Sequence, residues 1–374
     1  MLNRVVLPSR VRVMLNGLSW TMVVPFLALV ALALTWGREI GSAPAVLVAV
    51  LLGGAVLAAV EHAEVVAHRV GEPFGSLVLA IAVTVIEVAL IVTLMVSGGE
   101  GSATLARDTV FAAAMITTTG IVGVSVLIGS LRYGVTLFNA EGSGAALATV
   151  TTLATLSLVL PTFTTSHPGP EFTPGQLAFA ALASLGLYVV FVFTQTVRHR
   201  DFFLPVTQED VVIDDDEHAP PPSTRSALRS LAMLLAALVA VVGLAKIESQ
   251  PIETAVAAVG FPQSFVGVVI ALLVLLPETL AAARAAWRGR VQISLNLAYG
   301  SAMASIGLTI PALAVASVWL PGPLILGLGG MQLVLLTLTV VVSVLTVVPG
   351  RATRLQGAVH LVLFAAYVFL AVNP

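Results

Sequence analysis

Apolar residues run along this chain in long blocks that end at charges, prolines or clusters of glycine. A helix that crosses the hydrocarbon core of a bilayer needs about 20 such residues, whereas a strand of a membrane barrel needs only about 10. The pattern therefore predicts an all-α polytopic membrane protein with about eleven transmembrane helices. The predicted spans lie near 18–36, 44–62, 73–97, 109–130, 143–162, 176–196, 227–247, 263–283, 293–319, 322–348 and 354–372.

Basic residues are concentrated in every second predicted loop. Cytoplasmic loops of membrane proteins carry an excess of lysine and arginine. With the N-terminus in the cytoplasm, all of the 17 basic residues fall in cytoplasmic loops except Arg38, Arg107 and Lys246. This orientation, with an odd number of spans, predicts a C-terminus on the periplasmic or extracellular side of a bacterial inner membrane.

Residues 198–226 form the one long polar segment of the chain. Asp201 begins this acidic stretch, which continues through 209–217, and three prolines follow at 220–222. Such a composition does not fold alone and is typical of a solvated linker. A cation-sensing role is the alternative, although the segment lacks the glycine and ligand spacing of an EF-hand loop.

The linker divides the chain into two halves. Residues 1–40 form an N-terminal segment with the first helix, 41–197 a first group of five helices, and 227–374 a second group of five. A unit with an odd number of helices, repeated in tandem, must enter the membrane in opposite directions, as in many secondary transporters. We therefore predict one extra N-terminal helix and two inverted five-helix repeats.

A local alignment of the two halves supports the repeat. An offset of 191 residues pairs Glu87 with Glu278, and the next helix of each half aligns at an offset of 188. The polar pairs at the second offset are Asp108 with Asn296 and Thr117 with Ser305.

Glu87 and Glu278 are the candidate cation and proton ligands. A carboxylate near the middle of a membrane costs about 3 kcal/mol to insert, so such a residue faces a cavity or a partner. No lysine or arginine lies at comparable depth in any span, which disfavours an ion pair. Desolvation and mutual repulsion favour the protonated forms, and a hard cation such as Ca²⁺ can replace the protons.

Further oxygen ligands are expected on the same or the following helix. Pro277 lacks an amide hydrogen, so the Leu273 carbonyl loses its helical donor and becomes available to a ligand. For each hydroxyl the alternative is a hydrogen bond to its own helix. The possible supporting residues are Thr84, Asn296, Ser301, Ser305 and Asp108, with Thr117, Thr118 and Thr119 as counterparts in the first half.

A second polar cluster lies at the cytoplasmic end of the second span. It is either a proton relay or an interfacial salt-bridge network at the start of the next helix, and it lacks the H-E-x-x-H spacing of a zinc site. Its members are Glu61, His62, Glu64, His68, Arg69 and Glu72.

Composition narrows the function classes. Only 10% of the residues are charged, cysteine is absent and the formal net charge is −2. These values exclude an ordinary soluble enzyme, a nucleic-acid binder and thiolate chemistry. Nucleophile-elbow, Walker and Rossmann motifs are absent, so we expect no enzymatic activity and no cofactor. The expected partners are the lipid bilayer and small cations, and the oligomeric state is left open.

Several segments resemble ChaA-type bacterial calcium/proton antiporters of the cation/Ca²⁺ exchanger superfamily. The resemblance is carried by Ala67–Ser76 and Ala82–Val88 in the first half, Leu276–Glu278 and Asn296–Ser301 in the second half, and the closing Ala358–Tyr367. It implies two inverted five-helix repeats with an extra first helix. It also implies that one glutamate of each repeat, here Glu87 and Glu278, is shared by cation and protons.

The expected function is therefore exchange of cytoplasmic Ca²⁺ for external protons by alternating access. The resembling branch is also associated with Na⁺ and K⁺, so an Na⁺/H⁺ or K⁺/H⁺ antiporter of the same fold is the alternative. A cation channel or a membrane scaffold is disfavoured, because a channel is typically a symmetric oligomer and a scaffold needs no buried acids.

Overall fold

The computed structural model describes residues 19–38, 40–71, 74–97, 102–206, 222–319 and 322–374. Glu72, the N-terminal arginines and the acidic run 209–217 lie outside the described residues. The first-half helices are α1 (Trp20–Thr35), α2 (Ser42–Val70), α3 (Phe74–Ser97), α4 (Leu105–Met115), α5 (Val122–Tyr133), α6 (Ala140–Ala154), α7 (Leu160–Phe163) and α8 (Pro174–Phe193). The second-half helices are α9 (Thr224–Ala258), α10 (Phe265–Val274), α11 (Leu276–Trp287), α12 (Val291–Gly307), α13 (Thr309–Ala316), α14 (Gly330–Val347) and α15 (Arg354–Val372).

Short irregular helical pieces interrupt or extend some of these helices. Three π-helical segments, Ile116–Ile121, Thr155–Val159 and Thr194–Arg198, continue the helices that precede them. The described residues also include 3₁₀ turns at Ser102–Thr104 and Arg200–Phe203 and two short strands, β1 (Thr136–Leu137) and β2 (Arg351–Ala352).

The prediction of an all-α polytopic membrane protein is confirmed. Within the described ranges, nine continuous helical stretches are long and apolar enough to cross a membrane, and the pair α10–α11 adds a tenth, broken span. Helix α1 is apolar but has only 16 residues, and counting it gives the eleven predicted spans. The division into an extra helix, two repeats and a linker at the stated boundaries stays a prediction.

The helices pack around two apolar cores. One core joins α1, α2, α3, α9 and α10, and the other is built on the long span from α4 to α5 together with α6, α12 and α15. Close approach of α1 to its neighbours depends on small residues. A Cβ atom at Gly243 would meet the Leu32 side chain at 2.5 Å, and one at Gly54 would meet Val24 at 2.9 Å. These glycines let α1 lie directly against α9 and α2.

Loop contacts connect the two halves at both ends of the bundle. At one end β1 pairs antiparallel with β2, aligning Thr136 with Ala352, and the Arg132 guanidinium stacks on Trp287 at 4.6 Å. At the other end Glu171 forms a β-bridge with Ile325. The first of these ends carries the loops that the charge pattern assigns to the cytoplasm.

The break between α10 and α11 follows from Pro277. Proline has no N–H to donate four residues back and its ring clashes with that carbonyl, so it favours the first turn of a helix. The two helices are bent by 55° at Leu275, and Pro277 lies in the first turn of α11. This geometry places Glu278 at the start of a helix in the interior of the bundle.

The third span of each half is also irregular, and at aligned positions. The π-helical segment Ile116–Ile121 interrupts the first, and a break at Leu308 separates α12 from α13 in the second. The offset of 188 pairs Gly120 with Leu308. Local departures from α-helical geometry of this kind recur at functional sites.

The predicted orientation is testable because the natural chain has no cysteine. A single cysteine at Val135, in the loop before β1, should react with a membrane-impermeant maleimide only after the membrane of intact cells is permeabilised. A single cysteine at the exposed Ser166, in the loop before α8, should react without permeabilisation. The opposite pattern would overturn the orientation.

Candidate cation site

A small interior cavity lies where α3, α4, α10 and α12 meet. Its volume is about 10 Å³, comparable to the space needed by one water molecule. Most of its wall is apolar, and the polar groups all carry oxygen. The lining residues are Val83, Thr84, Glu87, Ala113, Ala271, Val274, Leu275, Ser301, Ala304 and Ser305.

Glu87 is the only carboxylate among the lining residues of this cavity. The residue is 4% exposed, and the Ser305 hydroxyl donates a hydrogen bond of 2.5 Å to its Oε1 atom. The Thr309 hydroxyl lies near the same carboxyl group but makes no hydrogen bond of good geometry. Helix α3 therefore presents its acid to a hydroxyl group of the opposite half.

Glu278 lies beside the cavity, three residues after Leu275. It occupies the first turn of α11, where its own backbone N–H lies close to its side chain and the helix dipole favours a negative charge. Its Oε2 atom is buried and has no hydrogen-bond partner. The carboxyl group is within electrostatic range of Glu87 and of Glu64, so each of these acids repels Glu278 when both are ionised.

The site offers oxygen ligands, and no basic side chain in the described part of the chain forms an ion pair with its glutamates. The ion pairs between described residues involve neither glutamate. In the same described part of the chain, no group of three or more His, Asp or Glu side chains is placed to hold a metal ion. A cation at this position would rely on the two carboxyl groups together with hydroxyl and carbonyl oxygens. Such a donor set suits hard cations.

Four of the residues singled out from the sequence meet at the cavity: Glu87, Thr84, Ser301 and Ser305. Asn296 does not reach it. Its amide accepts a hydrogen bond from the Gln292 amide and donates one to the Phe203 carbonyl. These bonds form a polar network near the N-terminus of α12. The nine residues from Asn296 to Ser305 turn the helix by about two and a half turns, which places the two side chains on opposite faces.

Asp108 is a second correction to the predicted ligand set. Its carboxylate forms an ion pair with Arg107 at 2.8 Å and accepts a hydrogen bond from the Thr104 hydroxyl. It lines a separate cavity of about 50 Å³ with Gln332 and Tyr367. Five residues, about 7.5 Å along the helix, separate it from Ala113 at the cation cavity.

The hydroxyl groups of the three threonines in the first-half π-helical segment bond to their own helix, which was the alternative to a ligand role. Thr117 donates to the Ala113 and Ala114 carbonyls, Thr118 to the Ala114 carbonyl and Thr119 to the Met115 carbonyl. They are hydrogen-bonded within their own span and not to Glu278.

The second polar cluster divides into interface and exposed groups. The His62 ring contacts the Thr21 carbonyl at 3.0 Å and the Ser230 hydroxyl at 3.4 Å, which links α2 to α1 and α9. Glu64 is exposed and lies in electrostatic range of Arg284 and of Glu278. Glu61, His68 and Arg69 are exposed, and Arg69 donates to Thr224.

A further buried acid was not singled out from the sequence. Glu248 on α9 is 2% exposed, its Oε1 atom has no partner, and it lines a cavity of about 930 Å³ with Trp36 and Lys246. The predicted span ended at 247, so Glu248 counted as a loop residue. The signal was present in the sequence, since the apolar pattern resumes after it and α9 continues unbroken to Ala258.

The fold is that of a multi-pass membrane protein with a buried carboxyl group at an interior cavity. The family model of the sodium/calcium exchanger protein matches residues 42–197 and 229–373. The chain therefore belongs to the sodium/calcium exchanger protein family. The resemblance to ChaA-type antiporters is confirmed by the relatives and by the fold.

Two relatives match over nearly their whole length. The chain is 46% identical to y4hA of Sinorhizobium fredii, a protein proposed to be an ionic transporter, over 95% of this chain and 96% of the relative. It is 36% identical to the sodium-potassium/proton antiporter ChaA of Escherichia coli, over 93% of this chain and 94% of that one.

Solved structures share the fold at low sequence identity. Native YfkE matches with a TM-score of 0.70 and 15% identity, over 95% of this chain and 99% of YfkE. The H⁺/Ca²⁺ exchanger CAX matches with a TM-score of 0.69 and 15% identity, over 93% of this chain and 86% of CAX.

Substitution of Ser305 by alanine tests the contact between the two halves. Loss of a hydroxyl donor to a buried carboxylate should raise the apparent KM for the exchanged cation about tenfold. Cation-dependent proton flux in membrane vesicles measures the effect. Ser317→Ala is the matched control, because that hydroxyl donates only to the Ala314 carbonyl near the end of α13. Equal KM values for the two variants would show that the Ser305 contact does not contribute to cation binding.

Proposed function

We propose that this protein is an antiporter that exchanges cytoplasmic Ca²⁺ for external protons through Glu87 and Glu278. The observation that supports this is the pair of carboxyl groups in electrostatic range of each other, without an ion-pair partner among the described residues. Two ionised carboxylates neutralise one divalent ion, and two protons neutralise the same site without it. Cation and protons then compete for one set of oxygen atoms.

The exchange cycle follows from this competition. Protons arriving from the external side occupy both carboxyl groups and displace the cation. On the cytoplasmic side the protons leave, and the cation binds between the carboxylates and the hydroxyl oxygens of Ser301 and Ser305. Only the neutralised forms of the site cross between the two faces at low cost, because an uncompensated charge in an apolar interior is strongly unfavourable.

Exchange of Na⁺ or K⁺ for protons is the second candidate. It is favoured by the relationship to a sodium-potassium/proton antiporter at 36% identity. A monovalent cation requires only one ionised carboxylate, so the same two glutamates serve both functions. The coupling ratio differs between them, since a monovalent cation replaces one proton and Ca²⁺ replaces two.

The proposal places the protein in a bacterial inner membrane, with its N-terminus in the cytoplasm and its C-terminus on the outer side. It requires no enzymatic step and no cofactor. The lipid bilayer and the transported cations are the only partners it needs, and it is independent of the oligomeric state.

Everted membrane vesicles test the two glutamates directly. An acid interior should drive Ca²⁺ uptake by the wild-type protein, and Glu87→Gln and Glu278→Gln should each lower the rate at least about tenfold, because an amide cannot exchange a proton for a cation. Glu141→Gln, at the exposed start of α6, is the matched control. Undiminished proton-driven uptake by both site variants would contradict the proposal.

Comparison of cations separates the two candidates. Proton efflux from the same vesicles is followed after addition of Ca²⁺, Na⁺ or K⁺ at equal concentrations over a range of pH. The Ca²⁺ proposal expects efflux at the lowest concentration with Ca²⁺, and it expects the apparent KM to fall steeply as pH rises because two protons leave. Efflux with Na⁺ or K⁺ and not with Ca²⁺ would assign the second candidate.

Glu64 is proposed to attract cations to the cytoplasmic side of Glu278. Glu64 is an exposed residue of α2. Its carboxylate is in electrostatic range of both Glu278 and Arg284. We expect Glu64→Gln to raise the apparent KM for Ca²⁺ about threefold at low ionic strength and less at high salt, since screening weakens such an exposed charge. An unchanged KM at low salt would exclude this role.

A further inference from the structure

His360 is a fully buried histidine that the proposed transport cycle does not use. It lies on α15 and is 0% exposed. Its Nδ1 atom lies 3.0 Å from the Thr118 carbonyl oxygen, and its Nε2 atom lies 3.1 Å from the Thr346 hydroxyl on α14. One imidazole therefore joins three spans, including the long third span of the first half.

The Thr118 carbonyl belongs to the π-helical segment Ile116–Ile121. In an α-helix the Val122 N–H would donate to this carbonyl. Here it donates to the Thr117 and Thr119 carbonyls instead. The Thr118 carbonyl has thus lost its α-helical donor, and the His360 ring supplies a hydrogen bond in its place.

The hydrogen-bond pattern determines which ring nitrogen carries the proton. A carbonyl oxygen can only accept, so Nδ1 must bear a hydrogen in order to face Thr118. In the neutral ring the Nε2 atom then accepts from the Thr346 hydroxyl; in the doubly protonated ring it donates to that hydroxyl, which donates to the Val342 carbonyl at 2.9 Å. The contact with Thr118 is the same in either arrangement, so it depends only on the Nδ1–H group.

The ring has little freedom to move away from the π-helical segment. A Cβ atom at Gly123 would meet Leu361 at 2.9 Å and the His360 Cβ at 3.0 Å, so α15 lies directly against the start of α5. One residue after Thr119, Gly120 faces the Phe364 ring in the same way. The glycines allow the short distance between the two helices. The imidazole holds the Thr118 carbonyl in place through its hydrogen bond.

The π-helical segment in turn lies beside the helix that bears Glu278 and the helix that bears Ser305, the hydrogen-bond partner of Glu87. It packs against α11, whose first turn contains Glu278, and against α12, which carries Ser305. Ala113, one turn before the segment, lines the cation cavity with Glu87. A shift of this segment would therefore move the cavity wall relative to both acids.

We propose that His360 is a positioning residue for the cation site, acting through its Nδ1–H···O=C bond to Thr118. The inference rests on the proposed cation/proton exchange. The bond holds the π-helical segment, and with it the cavity wall at Ala113, in the geometry that binds the cation. Loss of the bond weakens cation binding without removing any ligand.

Two amide substitutions distinguish the role of Nδ1 from the role of Nε2. In His360→Asn the side-chain amide nitrogen takes the position of Nδ1 and can still donate to Thr118. In His360→Gln it takes the position of Nε2 and leaves the Thr118 carbonyl without its side-chain donor. We expect the apparent KM for the driving cation to rise about tenfold in the Gln variant and to change less than about twofold in the Asn variant. The rate at saturating cation, per folded transporter, should stay near that of the wild type.

The measurement is cation-dependent proton flux, normalised to the monodisperse protein recovered from the same membranes. His360→Leu, which is apolar and close in volume, provides a second variant without the donor if the Gln variant does not accumulate. Equal KM values for the Asn variant and for the variants without the donor would overturn the proposal, as would a loss of rate with unchanged KM. A wild-type protein without cation-dependent flux would instead contradict the proposed function.

Discussion

Two carboxyl groups inside an apolar helix bundle, with no basic partner among the described residues, must be neutralised by protons or by a cation. This electrostatic constraint accounts for the other features of the site. The cavity beside Glu87 is small, with space for about one water molecule. Its polar wall consists of oxygen groups, which neutral protonated acids and a bound hard cation can both use. An arginine at this position would satisfy the acids permanently and remove the competition on which exchange depends.

The two glutamates are aligned in sequence but have different surroundings. Glu87 lies within the continuous helix α3 and accepts from Ser305, whereas Glu278 begins α11 after a 55° bend. The difference originates one residue earlier, where Ile86 in the first half stands opposite Pro277 in the second. Only the proline removes a backbone donor, so only the second half places its acid at a helix N-terminus. The two halves therefore present two carboxyl groups with unequal surroundings.

Much of the fold was predictable because membrane helices leave a strong signal. Apolar block lengths predicted the spans, and Pro277 predicted the loss of a helical donor to the Leu273 carbonyl, close to the observed bend at Leu275. The pairing of Thr117 with Ser305 also aligned the irregular regions of the two third spans. These predictions depend on local backbone chemistry and on hydropathy, both of which are contained in a short window of sequence.

The ligand set was less predictable because it depends on helix rotation and on partners far away in the chain. Ser305 reaches Glu87 across 218 residues of sequence, and Asn296 turns to the opposite face of the same helix. Asp108 forms an ion pair with its neighbour Arg107. The role of His360 required a three-dimensional view, since its partner is a main-chain carbonyl that carries no sequence signal.

The central claim is that cation and protons share Glu87 and Glu278. Calorimetric titration of the purified protein with Ca²⁺, in buffers of different ionisation enthalpy, measures the protons released for each cation bound. We predict release of protons by the wild type and loss of that release when both glutamates are replaced by glutamine. Tight Ca²⁺ binding without proton release, or with unchanged release in the double variant, would contradict the account.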